Sequence, residues 1–216
     1  MNNQKHIFLI LAISWGCFVI GCAITIAYLS VSSDYQSRVS STEAVQAMKI
    51  QKQEEDAANV DAEDISASMK SFLNAYYQKL LEGDRTQLIQ MVEDPDSFYS
   101  EEQLRKMNAY VESYQNVHYY IQESSSEEGA VIVFVSYQTK LYDIETTVPG
   151  IAQYFIKKMD GEWMIFNNEE HLSEASQKEM KASLRLPKIE QLIIETNQQY
   201  QKALKKDTAL KEYFEE

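Results

Sequence analysis

From Ile7 to Val31 the chain reads IFLILAISWGCFVIGCAITIAYLSV, 25 residues without one charged side chain. A helix of that length rises roughly 37 Å, enough to cross a hydrocarbon core of about 30 Å with some tilt. In lipid a helix satisfies every backbone N–H and C=O within the segment, so such a run has few other stable forms. Tyr28 falls near its far end, where a ring can sit among headgroups, whereas Trp15 is central. The run predicts a transmembrane helix over 7–31, preceded by a short cytoplasmic end at 1–6.

Two rival readings are weaker. A cleavable secretory signal has an apolar stretch of about 7–15 residues followed by a small-residue cleavage site, and neither fits here. Val19-Ile20-Gly21-Cys22 has the form of a lipobox, but Ala23 to Leu29 continue apolar beyond that cysteine. An uncleaved anchor is therefore preferred to a lipoprotein lipidated at Cys22. Orientation follows from Lys5 and the terminal amine, which no acid offsets before Asp34, and the positive-inside tendency puts that end in the cytoplasm. The remainder is then outside, in contact with lipid only through 7–31.

That remainder is acidic. It holds 19 of the 20 Lys and Arg residues and all 33 Asp and Glu residues, a net charge of −14. Such an average repels nucleic-acid backbones and anionic lipid, so no nucleic-acid partner is expected. Both cysteines, Cys17 and Cys22, lie inside the apolar run. The outer part can therefore have no disulfide, thiolate metal site or cysteine nucleophile of its own. Ala12-x-x-x-Gly16 is a spacing that lets two spans approach closely, which leaves a homo-oligomer open.

Residues 32–60 are polar and read as a solvated stalk. A globular pattern begins at Asp61 and runs to 168. Ile65, Met69, Phe72, Leu73, Tyr76 and Leu80 recur at helical spacing, with Gly83 placed to end the helix. Asp84 can cap a short second helix carrying Leu88, Ile89 and Val92, which Pro95 stops. Ser100-x-x-Gln103 predicts a capping box for a third helix carrying Leu104, Met107, Tyr110, Val111 and Tyr114. The period then changes to two. Strands are expected at 116–124, 130–142, 151–159 and 162–167, the last pair joined by an Asp160-Gly161 hairpin. Helices followed by a four-stranded antiparallel meander make an α+β fold. Residues 169–216 form a C-terminal helical segment, opened by Pro187 and striped by Ile189, Leu192, Ile193, Thr196, Tyr200 and Leu204. It either packs on the domain or, with the Ala209–Phe214 tail, docks onto another chain.

The run FLNAYYQKLLEGDRTQLIQMV, then a helix and a meander ending in DGEWMIFN, resembles the nuclear-transport-factor-2-like superfamily. The stretch VSYQTKLYDIETTVPGIAQYFIKKMDGEW is similar to the extracytoplasmic modules of that superfamily on single-span proteins of Gram-positive bacteria. The resemblance covers residues 65–168. It implies three helices packed on a curved sheet, a cone whose mouth accepts a ligand or a partner. It also includes, by architecture alone, a bitopic assembly factor of conjugation and type IV secretion machines. Fold does not decide function here, because the superfamily holds isomerases, dehydratases and inert modules.

Enzymes of that kind carry Asp, His or Tyr inside the cone, which makes His118, Tyr120, Tyr137, Asp143 and Glu145 the pocket candidates. His118, Tyr120 and Gln122 alternate onto one strand face, and Asp143 and Glu145 flank Ile144. An exposed histidine and a solvated acidic pair are the plainer readings. His171, beside Glu169-Glu170, is weak as a metal site. No phosphate-cradling glycine loop, H-E-x-x-H or G-x-S-x-G is present. The expectation is a non-catalytic module for a protein or cell-envelope partner, with no cofactor, no metal and no catalytic residues. The alternatives are an assembly component of a conjugation or type IV secretion machine, and a small-molecule binder or isomerase-like enzyme using the cone cavity.

Overall fold

The computed structural model describes residues 60–215. The 7–31 run, both cysteines and all but the last residue of the 32–60 stretch lie outside the described residues. Among those described, no helix is long and apolar enough to cross a membrane.

Helix α1 (Val60–Glu82) buries Met69, Leu73, Tyr76, Tyr77 and Leu80 along one stripe. Gly83, at φ +68°, ends it. Asp84 then caps α2 (Arg85–Leu88), its carboxylate accepting from the Gln87 N–H at 3.1 Å. Helix α3 (Glu101–Asn108) opens on the capping box. Ser100 Oγ accepts from Gln103 N at 3.3 Å, and Gln103 Oε1 accepts from Ser100 N at 2.8 Å.

The expected extension of α3 through Val111 and Tyr114 does not occur. Val111 instead opens β1 (Val111–Glu123), a run of β-branched and aromatic residues that disfavours helix. A bulge explains the misleading spacing. Val111 pairs with Leu141 but Ser113 with Lys140, and the extra residue puts Val111 and Tyr114 on one face three positions apart, which imitates a helical period. A second bulge follows, where Asn116, at φ +50°, and Val117 together oppose Tyr137.

Strands β2 (Ala130–Leu141), β3 (Val148–Met159) and β4 (Glu162–Ile165) complete an antiparallel sheet in the order β1-β2-β3-β4. Asp160 and Gly161 have φ +53° and +89° and make the two-residue turn between β3 and β4. Pro149 is tolerated near the start of β3 because β4 pairs only with Ile156–Met159.

Both sheet faces are covered, and two stretches far apart in sequence do the covering. On the inner face Val131, Val133, Val135, Ala152, Tyr154 and Ile156 pack against α1, α2 and α3. On the outer face Ile132, Phe134, Ile151 and Phe155 meet Leu172, Ile189 and Ile193, which belong to the segment running through a short 3-10 turn (Glu169–His171), α4 (Glu174–Ser183) and α5 (Pro187–Lys206). Gln153 is the polar exception on that face. It is 5% exposed and donates to Met180 O and Ser183 Oγ, both at 2.9 Å, which seats the end of α4. Helix α6 (Thr208–Glu215) closes one end of the sheet, with Leu210 buried beside Leu141, Ile144 and Val148. Of the two placements open to the C-terminal segment, the structure shows packing on this domain.

Candidate functional site

Tyrosines occupy the inner face of the sheet. Tyr77 of α1 stands edge-on to Tyr114 of β1, with ring centroids 5.1 Å apart, and Tyr137 of β2 completes the triad at 5.7 and 5.3 Å. Tyr76 extends the cluster to Tyr154 at 6.0 Å, and the Tyr77 and Tyr154 hydroxyls hydrogen-bond at 3.0 Å. These are the tilted and edge-to-face geometries that stabilise aromatic pairs. Tyr137 also lies across Gly150 of the neighbouring strand, where a Cβ would come within 2.5 Å of the ring. Of the pocket candidates, Tyr137 therefore faces inward as part of a packed wall.

The other candidates lie elsewhere. His118 pairs with Ser136 and Tyr120 with Phe134, which puts both on the outer face of the sheet, opposite Tyr137. His118 is exposed, and Tyr120 packs beside α5 with Lys188 Nζ 5.5 Å from its ring centre. Asp143 and Glu145 fall beyond the end of β2, in the hairpin leading to β3, and both are exposed. Asp143 has φ +60°, so the strand alternation that would align it with Glu145 is broken. The hairpin is held instead by Lys140, which donates to the carbonyls of Leu141 and Ile144. The five candidates thus divide among two sheet faces and a turn. His171 Nδ1 meets Glu93 at 2.9 Å, and no group of three or more His, Cys, Asp or Glu among the described residues could hold a metal ion.

Two polar clusters were not singled out by the sequence. In the first, Asp94 accepts from Ser97 Oγ at 2.6 Å and Asn168 Nδ2 at 2.8 Å, while Asn167 exchanges hydrogen bonds with the Asp94 backbone at 2.7 and 2.9 Å. The hydrogen bonds from Ser97 and Asn168 hold the Asp94 carboxyl down at about 2, and the bond to Glu93 raises the His171 pKa. In the second, Glu179 of α4 accepts from Ser124 Oγ at 2.6 Å, Ser125 N at 2.7 Å and Ser126 Oγ at 2.6 Å, clasping the β1–β2 hairpin. Lys157 pairs with Glu127 beside it. The runs D-x-x-S at 94–97 and SSSEE at 124–128 are the only sequence traces of these networks.

The second cluster predicts an acid dependence. Burial alone would raise the Glu179 carboxyl, but hydrogen bonds from Ser124, Ser126 and Ser125 prevail and lower it to about 2. A depressed carboxylate stabilises the fold above its unfolded pKa, and that stability is lost as pH falls through the folded value. Urea midpoints measured from about pH 5 down to about pH 2 should fall for the natural chain. Glu179→Gln should flatten part of that fall while lowering the midpoint at the upper pH. An unchanged acid profile in the variant would show that the clasp contributes nothing.

Fold and site together define a small α+β domain, a four-stranded meander held between helical layers with an aromatic inner wall. No known protein family and no curated protein matches the chain.

Proposed function

We propose that the chain is a single-span membrane protein of the nuclear-transport-factor-2-like type. Its folded head stands outside the membrane as a non-catalytic module for a protein or cell-envelope partner. The tyrosine packing carries this reading. Enzymes of that superfamily set an acid or base on the inner side of the sheet, and here Tyr76, Tyr77, Tyr114, Tyr137 and Tyr154 fill that side with rings in mutual contact. The titratable candidates Asp143 and His118 face solvent away from it. The 25 uncharged residues at 7–31 supply the anchor.

Protease added to intact cells should digest the head, and digestion only after lysis would overturn the location. The purified protein should be folded and inert toward small apolar substrates and should retain an envelope partner on affinity capture. Turnover abolished by His118→Ala or Asp143→Asn would replace this reading with an enzymatic one.

A further inference from the structure

The two edges of the sheet are finished differently. The β4 edge is closed, since Ile165 N donates to Met91 O at 2.9 Å and Glu93 N donates to Ile165 O at 2.8 Å. The β1 edge is open, and among the described residues β1 pairs with β2 alone. That strand has no Lys, Arg or Pro, the residues that usually guard an exposed edge. Both bulges lie before His118, so His118 to Glu123 pair one for one with Ser136 to Val131 and form a regular strand.

One hydrogen bond fixes the phase of this edge. Ser124 N donates to Ala130 O at 2.9 Å, so the backbone of Ser124 faces β2. Alternation turns the N–H and C=O of His118, Tyr120 and Gln122 the same way, and those of Tyr119 and Ile121 outward. On the outer face, Gln122 Oε1 is buried with no hydrogen-bond partner among the described residues, while His118 is exposed four positions earlier. In a second β1 laid antiparallel and centred on Tyr120, each His118 falls opposite the other copy's Gln122 and can bring an imidazole N–H to that amide oxygen. Centring on Tyr119 sets Gln122 against the bulge, and centring on Ile121 sets it against Tyr120. A strand from elsewhere would have to bring the missing donor, whereas another β1 already carries it.

We infer that two copies of the chain join their open β1 edges about a dyad at Tyr120, making one sheet continuous through both domains. Each copy presents the same patch, as a twofold interface requires. The outward groups of Tyr119 and Ile121 exchange about four hydrogen bonds across the join. Tyr120 meets Tyr120 and Tyr119 meets Ile121, aromatic and β-branched pairs that favour strand pairing. The acidic average of the chain does not oppose this contact. Glu123 is the only acid in the regular stretch, and its two copies fall roughly 20 Å apart, beyond a screening length of about 8 Å. The pairing rests on the sheet and not on the membrane reading.

The test uses the full chain in detergent solution, with Cys17→Ala and Cys22→Ala so that added thiols report alone. Chains with His118→Cys and differently tagged chains with Gln122→Cys are oxidised separately and as a mixture. Opposed Cα atoms about 4.5 Å apart lie within disulfide reach, whereas like positions lie four residues, roughly 14 Å, apart. The mixture should give disulfide dimers that carry both tags, and each chain alone should give none. No dimer in the mixture overturns the inference. So do equal yields alone and mixed, which would mean random collision or contact through the apolar run. In the unsubstituted chain, amide exchange at Tyr119 and Ile121 should slow as protein concentration rises. Slow exchange at every concentration would mean that residues 32–59 of the same chain hold the edge, and fast exchange at every concentration that nothing does; either result overturns the pairing.

Discussion

Tyr77→Ala should lower the unfolding free energy by about 3–5 kcal/mol. Tyr77 is 7% exposed and touches Tyr76, Tyr114 and Tyr137 through its ring and Tyr154 through its hydroxyl. Truncation removes the ring on which the others lean and leaves the Tyr154 hydroxyl without that partner. Tyr77→Phe keeps the ring and loses only the hydroxyl contact, so it should cost about 1 kcal/mol. Denaturant titration of both variants separates the roles. If the alanine variant were no weaker than the phenylalanine one, the inner wall would be loosely packed, and the case for a filled cone would weaken with it.

Gly150→Ala should destabilise by about 1–3 kcal/mol, because the new methyl meets Tyr137. The distances are 2.5 Å to Cε2 and 2.8 Å to Cζ, below any ordinary carbon contact. The ring cannot simply swing aside, since Tyr77 and Tyr114 bracket it. In a domain of this size the loss should appear as a Tm drop of roughly 3–10 °C. The double-mutant cycle is decisive. In a Tyr137→Ala background the same substitution has room, so its cost should shrink; additive costs would place the strain elsewhere.

Much of the fold was legible because local chemistry and tertiary packing agree. Ser100 and Gln103, Asp84, Gly83, Pro187 and Asp160-Gly161 each act at the position their residue type implies. The failure at Val111–Tyr114 has a definite cause, since a bulge shifts side-chain parity and no residue type announces one there. The candidate site was less legible. His118 and Tyr137 both sit on strands, but which face each takes depends on register, and the bulge at Asn116 lies between Tyr114 and His118. The Glu179 and Asp94 networks join positions more than 50 residues apart, a pairing that a single sequence does not encode locally.

The two-sided covering of the sheet also governs the order in which the newborn chain can mature. Ile132, Phe134 and Phe155 are synthesised well before Leu172, Ile189 and Ile193, the side chains that shield them. At about 5–20 residues per second, the half-finished sheet stays bare on that flank for seconds. A ribosome stalled between 166 and 189 would therefore leave a sticky intermediate, and termination there would yield a fragment suited to chaperones or proteases.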